Sequence, residues 1–287
     1  MRIAYFGYDF FVDCLIDLIA TGHDIRQINT INTDNIWDFN KRILSVAEEA
    51  GCPVSFSKPT PKLITELIEQ GCDLIITAGY PYKIPALDLK LIRGINVHPT
   101  FLPYGRGRWP LPWLILKYPE HAGVSIHKLT SEWDRGDILV QSRLVLTQHD
   151  DLETLSARTQ MTALLLMRKL LSNFEFFWEA CSPQCENGSY WPMPSRIDRF
   201  LDWNYRVDEI LKIVRAFSKF ESTAVVDTIE YSVTRANGWT AERREPIGSV
   251  VHNTNLEKII AVSDGYVVLQ EFKAISDLRK NFDCKPY

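Results

Sequence analysis

Short apolar runs alternate with segments of helical periodicity through the first half of the chain, and this alternation constrains the fold most strongly. Strands are predicted at residues 2–6, 24–30, 53–57, 72–79 and 94–98. Helices are predicted between them at residues 9–22, 36–51 and 61–71. Strands that alternate with helices are typical of a parallel sheet covered on both faces, so we expect an α/β, Rossmann-like doubly wound domain.

The pattern changes after Gly123. Two β-like runs at residues 123–129 and 137–146 predict a hairpin, and residues 150–181 have the 3.6-residue periodicity of one long helix. A segment rich in Pro, Ser and Gly follows, and then one helix and several short alternating runs. We therefore expect a large domain at residues 1–180, a linker at 181–200 and a small β-rich, OB-like domain at 201–287.

Composition excludes several classes of protein. The formal net charge is −4 and the pI is about 5.9, which argues against non-specific binding of nucleic acid. The chain has no secretion signal and no apolar run of about 20 residues, so we expect a cytoplasmic protein without a membrane span. Its six cysteines are scattered without zinc-like spacing, which predicts no metal site. The turn "FGYDFF" lacks the glycines of a dinucleotide-binding fingerprint.

Two strong hydrogen-bonding side chains, Asn96 and His98, stand at the end of the strand in "GINVHPTFLPYGRGRWP". Side chains two apart on a strand share a face, and ligands of open α/β sheets bind at the carboxyl ends of strands. A histidine can act as acid or base there, and an asparagine amide can donate to a developing oxyanion. A carboxylate to orient the imidazole is available in "WDRGD", from Asp134 or Asp137. The alternative is that Asn96 and His98 only satisfy buried backbone groups.

Two motifs in this region resemble the signatures of enzymes that transfer a formyl group from N10-formyltetrahydrofolate. "INVHPTFLP" is similar to their Asn-x-His-Pro motif, and "GVSIHKLTSEWDRGDILVQ" is similar to their second motif, which ends in Asp-x-Gly-Asp-Ile-Leu. The resemblance covers the N-terminal two-thirds of the chain well and reaches the tail weakly through "FLDW" and "IVRAF". It implies a formyltransferase fold, formyl transfer with N10-formyltetrahydrofolate as co-substrate, and no metal.

The resemblance also implies roles for single residues. The catalytic trio of the family falls on Asn96, His98 and Asp137, in which Asp137 holds the imidazole. Asp134 falls where the family's loop lines the folate pocket. The segment "TAGYPYKIP" matches the loop that holds the pterin edge. The residues expected to bind the folate are Gly79, Tyr80, Tyr82, Ile84, Trp133 and Asp134.

Within the family, the balanced charge of the tail favours nucleotide-linked amino-sugar N-formyltransferases over methionyl-tRNA formyltransferases, which need a positive surface. The best guess for the acceptor is dTDP-4-amino-4,6-dideoxyglucose, used for a surface polysaccharide such as O-antigen by a homodimeric enzyme. The expected substrate contacts are Tyr8, Asp9, Lys83, Thr100, Arg106 and Trp109.

Several alternatives stay open at this stage. Tyr8 and the tryptophans can be packing residues, Asp9 can cap a helix, and Lys83 can be a solvated surface lysine. The alternative enzyme is a methionyl-tRNA formyltransferase. An alternative of another class is a catalytically silent module that binds folate or nucleotide.

Overall fold

The structure is a computed structural model that describes residues 1–33 and 39–275. The strands are, in chain order, β1 (Arg2–Gly7), β2 (Asp24–Asn29), β3 (Val54–Ser55), β4 (Leu74–Ala78), β5 (Arg93–His98), β6 (Gly123–Lys128), β7 (Ile138–Arg143), β8 (Ser222–Val226), β9 (Ile229–Thr240), β10 (Val250–Asn253), β11 (Lys258–Val262) and β12 (Gly265–Ala274). Those of the first half lie where the apolar runs predicted them.

The α-helices follow the predicted periodicity with two differences. They are α1 (Val12–Ala20), α2 (Lys41–Glu49), α3 (Pro61–Glu69), α4 (Leu111–Leu116), α5 (Leu152–Ser172), α6 (Phe174–Glu179) and α7 (Val207–Phe217). The predicted single helix at 150–181 is wrong, because Asn173 has non-helical backbone angles (φ −153°, ψ 63°) and divides it into α5 and α6. The short α4 was not predicted. The predicted start of the second helix, at residues 36–38, lies outside the described residues.

The first compact unit contains a seven-stranded sheet and comprises Met1–Pro110, Glu120–Val145 and Ser156–Pro192. The strand order is β3-β2-β1-β4-β5-β6-β7. The first five strands are parallel, whereas β6 and β7 are antiparallel to their neighbours. The predicted doubly wound α/β domain with a terminal hairpin is therefore confirmed.

Each face of this sheet has its own core, as expected for strands that are apolar on both sides. Alternate residues such as Tyr5 and Ile76 pack on one face with α1, α2 and α5. The other face carries Phe6, Ile75 and residues of α3. Burial on both faces fixes the register of the strands, because a slip of one residue would turn every side chain over.

Strand register sets up the candidate site. On one face, Asn29, Phe6, Thr77, Asn96 and His127 are successive Cα partners across five neighbouring strands. Four of these five residues are polar, and all but Phe6 can form hydrogen bonds through their side chains. The row lies toward the carboxyl ends of the parallel strands. The sheet therefore brings polar groups together that are far apart in sequence.

The second unit comprises Leu111–Pro119, Leu146–Leu155 and the described residues from Met193 onward. Its sheet is antiparallel throughout, with the order β10-β11-β12-β9-β8. Helix α7 buries Ile210, Val214 and Phe217, and its first residue donates from Val207 N to Asp264 Oδ1 (2.8 Å). A small β-rich unit is thus confirmed, whereas its OB-like character stays a prediction. The predicted linker at 181–200 contains the last passage of the chain between units, at Pro192–Met193.

We expect Ser125→Ala to lower the free energy of unfolding by about 1–3 kcal/mol. The buried Ser125 hydroxyl donates to Thr100 O (2.8 Å) and accepts from Leu102 N (3.0 Å), so it satisfies two backbone groups in the turn after His98. Urea denaturation measures the change. Ser142→Ala, on the neighbouring β7, is the control and should change stability by less than about 0.5 kcal/mol. Equal losses in the two variants would contradict this role.

Candidate active site

Asn96 and His98 lie at the end of β5 on the same face, as predicted. The His98 ring is buried, with 4% of the residue exposed, and its Nε2 is 2.8 Å from Gly105 O. Because a carbonyl oxygen only accepts hydrogen bonds, Nε2 carries a proton. The other ring nitrogen, Nδ1, lies 3.5 Å from Asp134 Oδ1.

Asp134, and not Asp137, is the carboxylate beside the imidazole. Asp134 is buried, and its Oδ2 accepts a hydrogen bond from Gly107 N (2.9 Å) while its Oδ1 faces His98. Asp137 is half-buried, and its Oδ2 lies 3.6 Å from Lys128 Nζ and 3.5 Å from Cys181 Sγ. The expectation that Asp137 orients the imidazole is therefore wrong. The chain takes a left-handed conformation at Asp134 (φ 53°), which turns this side chain into the sheet edge.

A second imidazole, that of His127, completes the surroundings of Asp134. His127 Nε2 is 3.5 Å from Asp134 Oδ1, and its Nδ1 is 2.8 Å from Lys128 O. The carboxylate thus stands between two buried rings, each of which uses its other nitrogen on a backbone carbonyl. The motifs alone do not single out His127 as a partner of the acid. The signal that identifies it is its position opposite Asn96 in the β5–β6 pairing.

Thr77 sets the orientation of the Asn96 amide. The Thr77 hydroxyl donates to Asn96 Oδ1 (2.7 Å), so the amide nitrogen must face the other way. There Asn96 Nδ2 lies 3.1 Å from His127 Nε2 and donates to Asp134 Oδ1 at 3.2 Å. Both N–H groups of Asn96 are therefore committed, and the amide reaches a substrate oxygen only by exchanging one contact. Thr77 was missed as a positioning group, although it is the only hydroxyl residue in "LIITA".

Burial and neighbouring charges shift the pKa values of His98 and Asp134 in opposite directions. Burial lowers the pKa of His98 below its ordinary value, and the Asp134 carboxylate offsets only part of this effect. Burial alone would raise the pKa of Asp134, but the nearby imidazoles and the Gly107 amide hold it well below its usual range. Asp134 is therefore an anion near neutral pH, whereas His98 is mostly neutral. A proton added to His98 at Nδ1 forms an ion pair with that anion.

The residues expected to hold the pterin edge lie on the segment after β4. Gly79 has a left-handed backbone (φ 74°). Tyr80 is buried in edge-to-face contact with Phe6 and Tyr82, and burial raises its pKa to about 12. Its hydroxyl has no hydrogen-bond partner within the described residues. Ile84 is buried in the same core. Their predicted contact with folate stays a prediction.

Three of the expected substrate contacts are engaged within the protein. The two oxygens of Asp9 accept from Arg42 N (3.0 Å) and Ile43 N (2.8 Å), so this carboxylate caps the first turn of α2. The buried Thr100 hydroxyl donates to Tyr104 O (2.7 Å). Arg106 is also buried, and its Nε and Nη2 both donate to Gln184 Oε1. These contacts give structural roles to groups for which substrate contacts were expected.

The remaining expected contacts differ in exposure. Tyr8 packs against Phe39, with 5.9 Å between ring centroids, and burial raises its pKa to about 12. Trp109 is half-buried just before α4. Lys83 is exposed, and so is Trp133, which directly precedes Asp134. Tyr8 and Trp109 are therefore less available to a substrate than Lys83 and Trp133.

A cavity of about 450 Å³ opens beside this cluster in the first unit. Its wall contains three cations, one acid and two aromatic rings, contributed by Lys83, Arg106, Arg135, Glu132, Trp133 and Tyr190. Trp133 and Arg135 flank Asp134 in sequence, and Arg106 lies between Gly105 and Gly107, which contact His98 and Asp134. The cavity thus combines positive charge with flat apolar surfaces next to the titratable groups.

Residues 1–33 and 39–275 contain no group of three or more His, Cys, Asp or Glu side chains placed to hold a metal ion. In the same residues, no helix combines the length and apolar character needed to cross a membrane.

Comparison with known proteins agrees with this architecture. Residues 41–169 match the family model described as formyl transferase. A methionyl-tRNA formyltransferase from Prochlorococcus marinus (strain MIT 9515) is 31% identical over 186 residues, which cover 61% of this chain and 56% of that protein. The chain thus matches little more than half the length of this curated relative. The fold and the matched segment define a formyl transferase domain.

Solved structures show the same fold along nearly the whole chain. HypX from Aquifex aeolicus, in complex with tetrahydrofolic acid, has a TM-score of 0.72 and 20% identity over 97% of this chain and 47% of its own. The N-formyltransferase from Helicobacter canadensis, in complex with folinic acid and dTDP-3-aminofucose, has a TM-score of 0.64 and 16% identity over 94% of this chain and 99% of its own. The match of residues 41–169 to the formyl transferase family model agrees with the resemblance that the two motifs predicted.

We expect Asp134→Asn to lower the pKa of His98, so that the ring loses its proton at a lower pH than in the wild type. The reason is that the Asp134 carboxylate raises this pKa, and asparagine removes the charge while tolerating the left-handed backbone. Titration of the histidine side chains by NMR measures it, with His98 assigned from the spectrum of His98→Gln. Asp137→Asn is the matched control, and a larger shift in that variant would return the role to Asp137.

We expect Asp9→Ala to lower the free energy of unfolding by about 0.5–2 kcal/mol, because it removes the cap from α2. Denaturant unfolding measures the change. Glu48→Ala, on the exposed surface of the same helix, is the control and should behave like the wild type. Wild-type stability of Asp9→Ala would show that the carboxylate does not cap the helix.

Proposed function

We propose that this chain transfers a formyl group from N10-formyltetrahydrofolate to the amine of a nucleotide-linked amino sugar. The observation that carries the proposal is the buried His98–Asp134 pair with the Asn96 amide beside it, at the carboxyl edge of the sheet in a formyl transferase domain. Such a set provides a proton acceptor, a fixed anion and an N–H donor within one small volume.

The residues divide the chemistry between them. The folate, when bound, would supply the formyl group: the acceptor amine would form the new C–N bond, the bond from the formyl carbon to N10 would break, and tetrahydrofolate would leave with the proton that the amine gave up. Negative charge then gathers on the formyl oxygen, and Asn96 stabilises it by exchanging one of its N–H contacts for that oxygen. His98 takes up the proton of the attacking amine, because its lowered pKa keeps it neutral beforehand. Asp134 remains ionised and pairs with the imidazolium.

The cavity beside the pair fits the donor. A folate has a flat ring system and carboxylates, and the cavity offers the rings of Trp133 and Tyr190 together with the charges of Lys83 and Arg135. The two solved relatives described above are complexes with tetrahydrofolic acid and with folinic acid. We infer that Lys83 and Trp133 hold the donor, while the buried Arg106 shapes the wall.

Charge favours a sugar nucleotide as the acceptor. Binding of tRNA needs clustered Lys and Arg, whereas the net charge of this chain is −4 and acids and bases balance in the tail. The structure of the Helicobacter canadensis enzyme, whose fold matches 94% of this chain, contains bound dTDP-3-aminofucose. The curated relatives are methionyl-tRNA formyltransferases, which makes charged initiator tRNA the competing acceptor. A dTDP-linked 4-amino- or 3-amino-dideoxy sugar for a surface polysaccharide, and a homodimeric cytoplasmic enzyme, are the finer parts of this proposal.

The test is release of tetrahydrofolate from N10-formyltetrahydrofolate by the purified protein, with a panel of acceptors. The panel contains dTDP-4-amino- and dTDP-3-amino-dideoxyhexoses, UDP-aminoarabinose, GDP-perosamine and charged initiator tRNA. We expect release with one amino sugar and a product heavier by one formyl group. Release only with the tRNA would replace the sugar as acceptor, and binding without any release would favour a silent module.

His98→Ala serves as the control for that assay. If His98 is the proton acceptor, formyl transfer by the wild type must depend on its imidazole. We expect its rate to fall by about 10²-fold or more. The fold of the variant is checked by circular dichroism. Equal rates in the variant and the wild type would remove His98 from the reaction.

A further inference from the structure

The Gln184 side chain uses all four of its hydrogen-bonding positions on two loops of the candidate site. Its Oε1 accepts from Arg106 Nε (3.1 Å) and Nη2 (2.9 Å). Its Nε2 donates to Asp134 O (2.8 Å) and Gly136 O (2.7 Å). A guanidinium only donates and a carbonyl only accepts, so the amide has one orientation that satisfies every partner.

These two loops carry the two hydrogen-bonding or charged partners of the His98 ring, Gly105 O and the Asp134 carboxylate. In the first loop, Gly105 O faces His98 Nε2 and Gly107 N donates to Asp134, with Arg106 between them. In the second loop lie Asp134 itself and Gly136. A single half-buried amide therefore joins the backbone next to both partners of the imidazole.

The backbone around Gln184 is itself anchored. Ile138 and Ser182 exchange two hydrogen bonds (2.8 and 2.9 Å), which fix the chain two residues before Gln184 to the start of β7. After Gln184, Ser189 O accepts from Arg106 N, and Trp191 N donates to Arg106 O. The amide is thus presented from a segment with fixed points on both sides.

The conformation of Asp134 needs such support. A non-glycine residue with positive φ has a strained backbone, and the surrounding contacts must outweigh this strain. The hydrogen bond from Gln184 ends on the carbonyl of this same residue. Gly136 is also constrained, since a Cβ there would lie 1.8 Å from Lys128 O.

We propose that Gln184 is a positioning residue that holds the Asp134 carboxylate at His98. It does not touch the reacting groups and acts through the backbone of Asp134. This inference rests on the proposed function for its effect on the rate. Its effect on the His98 environment does not depend on any substrate.

Two substitutions remove different hydrogen bonds of the Gln184 side chain. Gln184→Glu keeps an oxygen for Arg106 but turns a second oxygen toward the carbonyls of Asp134 and Gly136. Gln184→Met keeps the length and removes every hydrogen bond. We expect both to lower kcat by about 10- to 100-fold with little change in KM, because a small displacement of a catalytic group has effects of this order.

The decisive readout is the pKa of the His98 ring, measured by NMR. The charged or titratable groups that act on His98 are Asp134, which raises this pKa, and His127 and Arg106, which lower it. If the Asp134 carboxylate moves away, His98 must titrate at a lower pH in Gln184→Met, which adds no charge, whereas the added anion of Gln184→Glu itself acts on Arg106 and on His98. A merely structural Gln184 would lower the thermal midpoint and leave the titration of the folded variants unchanged.

Gln141→Met is the matched control. Its amide lies on β7 and, among residues 1–33 and 39–275, donates only to Leu102 O, at 3.5 Å. The kcat and the His98 titration should therefore stay at wild-type values. If Gln184→Met does not fold, the fall in kcat with little change in KM in Gln184→Glu carries the test, because that variant retains the Arg106 contact. A wild-type His98 titration in folded Gln184→Met, or a wild-type kcat in Gln184→Glu, overturns the proposal. Absence of formyl transfer by the wild type would instead overturn the proposed function, while the titration still tests Gln184.

Discussion

The candidate site depends on one buried charge, the carboxylate of Asp134. Burial of an unpaired carboxylate costs several kcal/mol, so its neighbours must be supplied by the fold. Here they are the Gly107 amide, the Asn96 amide and the two imidazoles of His98 and His127. The Asn96 amide is fixed in turn by the Thr77 hydroxyl, and each imidazole is fixed by a backbone carbonyl. The geometry of the site is therefore a consequence of stabilising this single anion.

The sheet provides half of that arrangement through its register. Thr77, Asn96 and His127 are successive partners on three strands, so their side chains must project from one face side by side. The parallel strand β5 and the antiparallel β6 meet here, at the border between the doubly wound part and the hairpin. Apolar burial on both faces holds the register, and thereby places polar atoms within hydrogen-bond distance.

The loops that carry Gly107 and Asp134 provide the remaining contacts. The sequence predicted the conformation of these loops only in part. The motif "WDRGD" correctly predicted an acid near His98, but the choice of Asp137 over Asp134 was wrong. The two acids lie three residues apart, and their roles depend on the positive φ of Asp134 and the close packing of Gly136. Arg106 was expected to contact the substrate. Its commitment to Gln184 arises from a contact across 78 positions of the chain.

The sequence alone determined the α/β class, the terminal hairpin, the β-rich tail, the resemblance to formyl transferases and the pair Asn96–His98. These follow from local periodicity and from motifs of neighbouring residues. Only the tertiary structure decided which acid faces the imidazole, that His127 joins it, that Thr77 orients Asn96 and that Gln184 connects the two loops. Thr77 and Asn96 are 19 positions apart, and Gln184 is 50 positions from Asp134 and 78 from Arg106. Strand register and backbone conformation, which no local pattern encodes, bring such residues together.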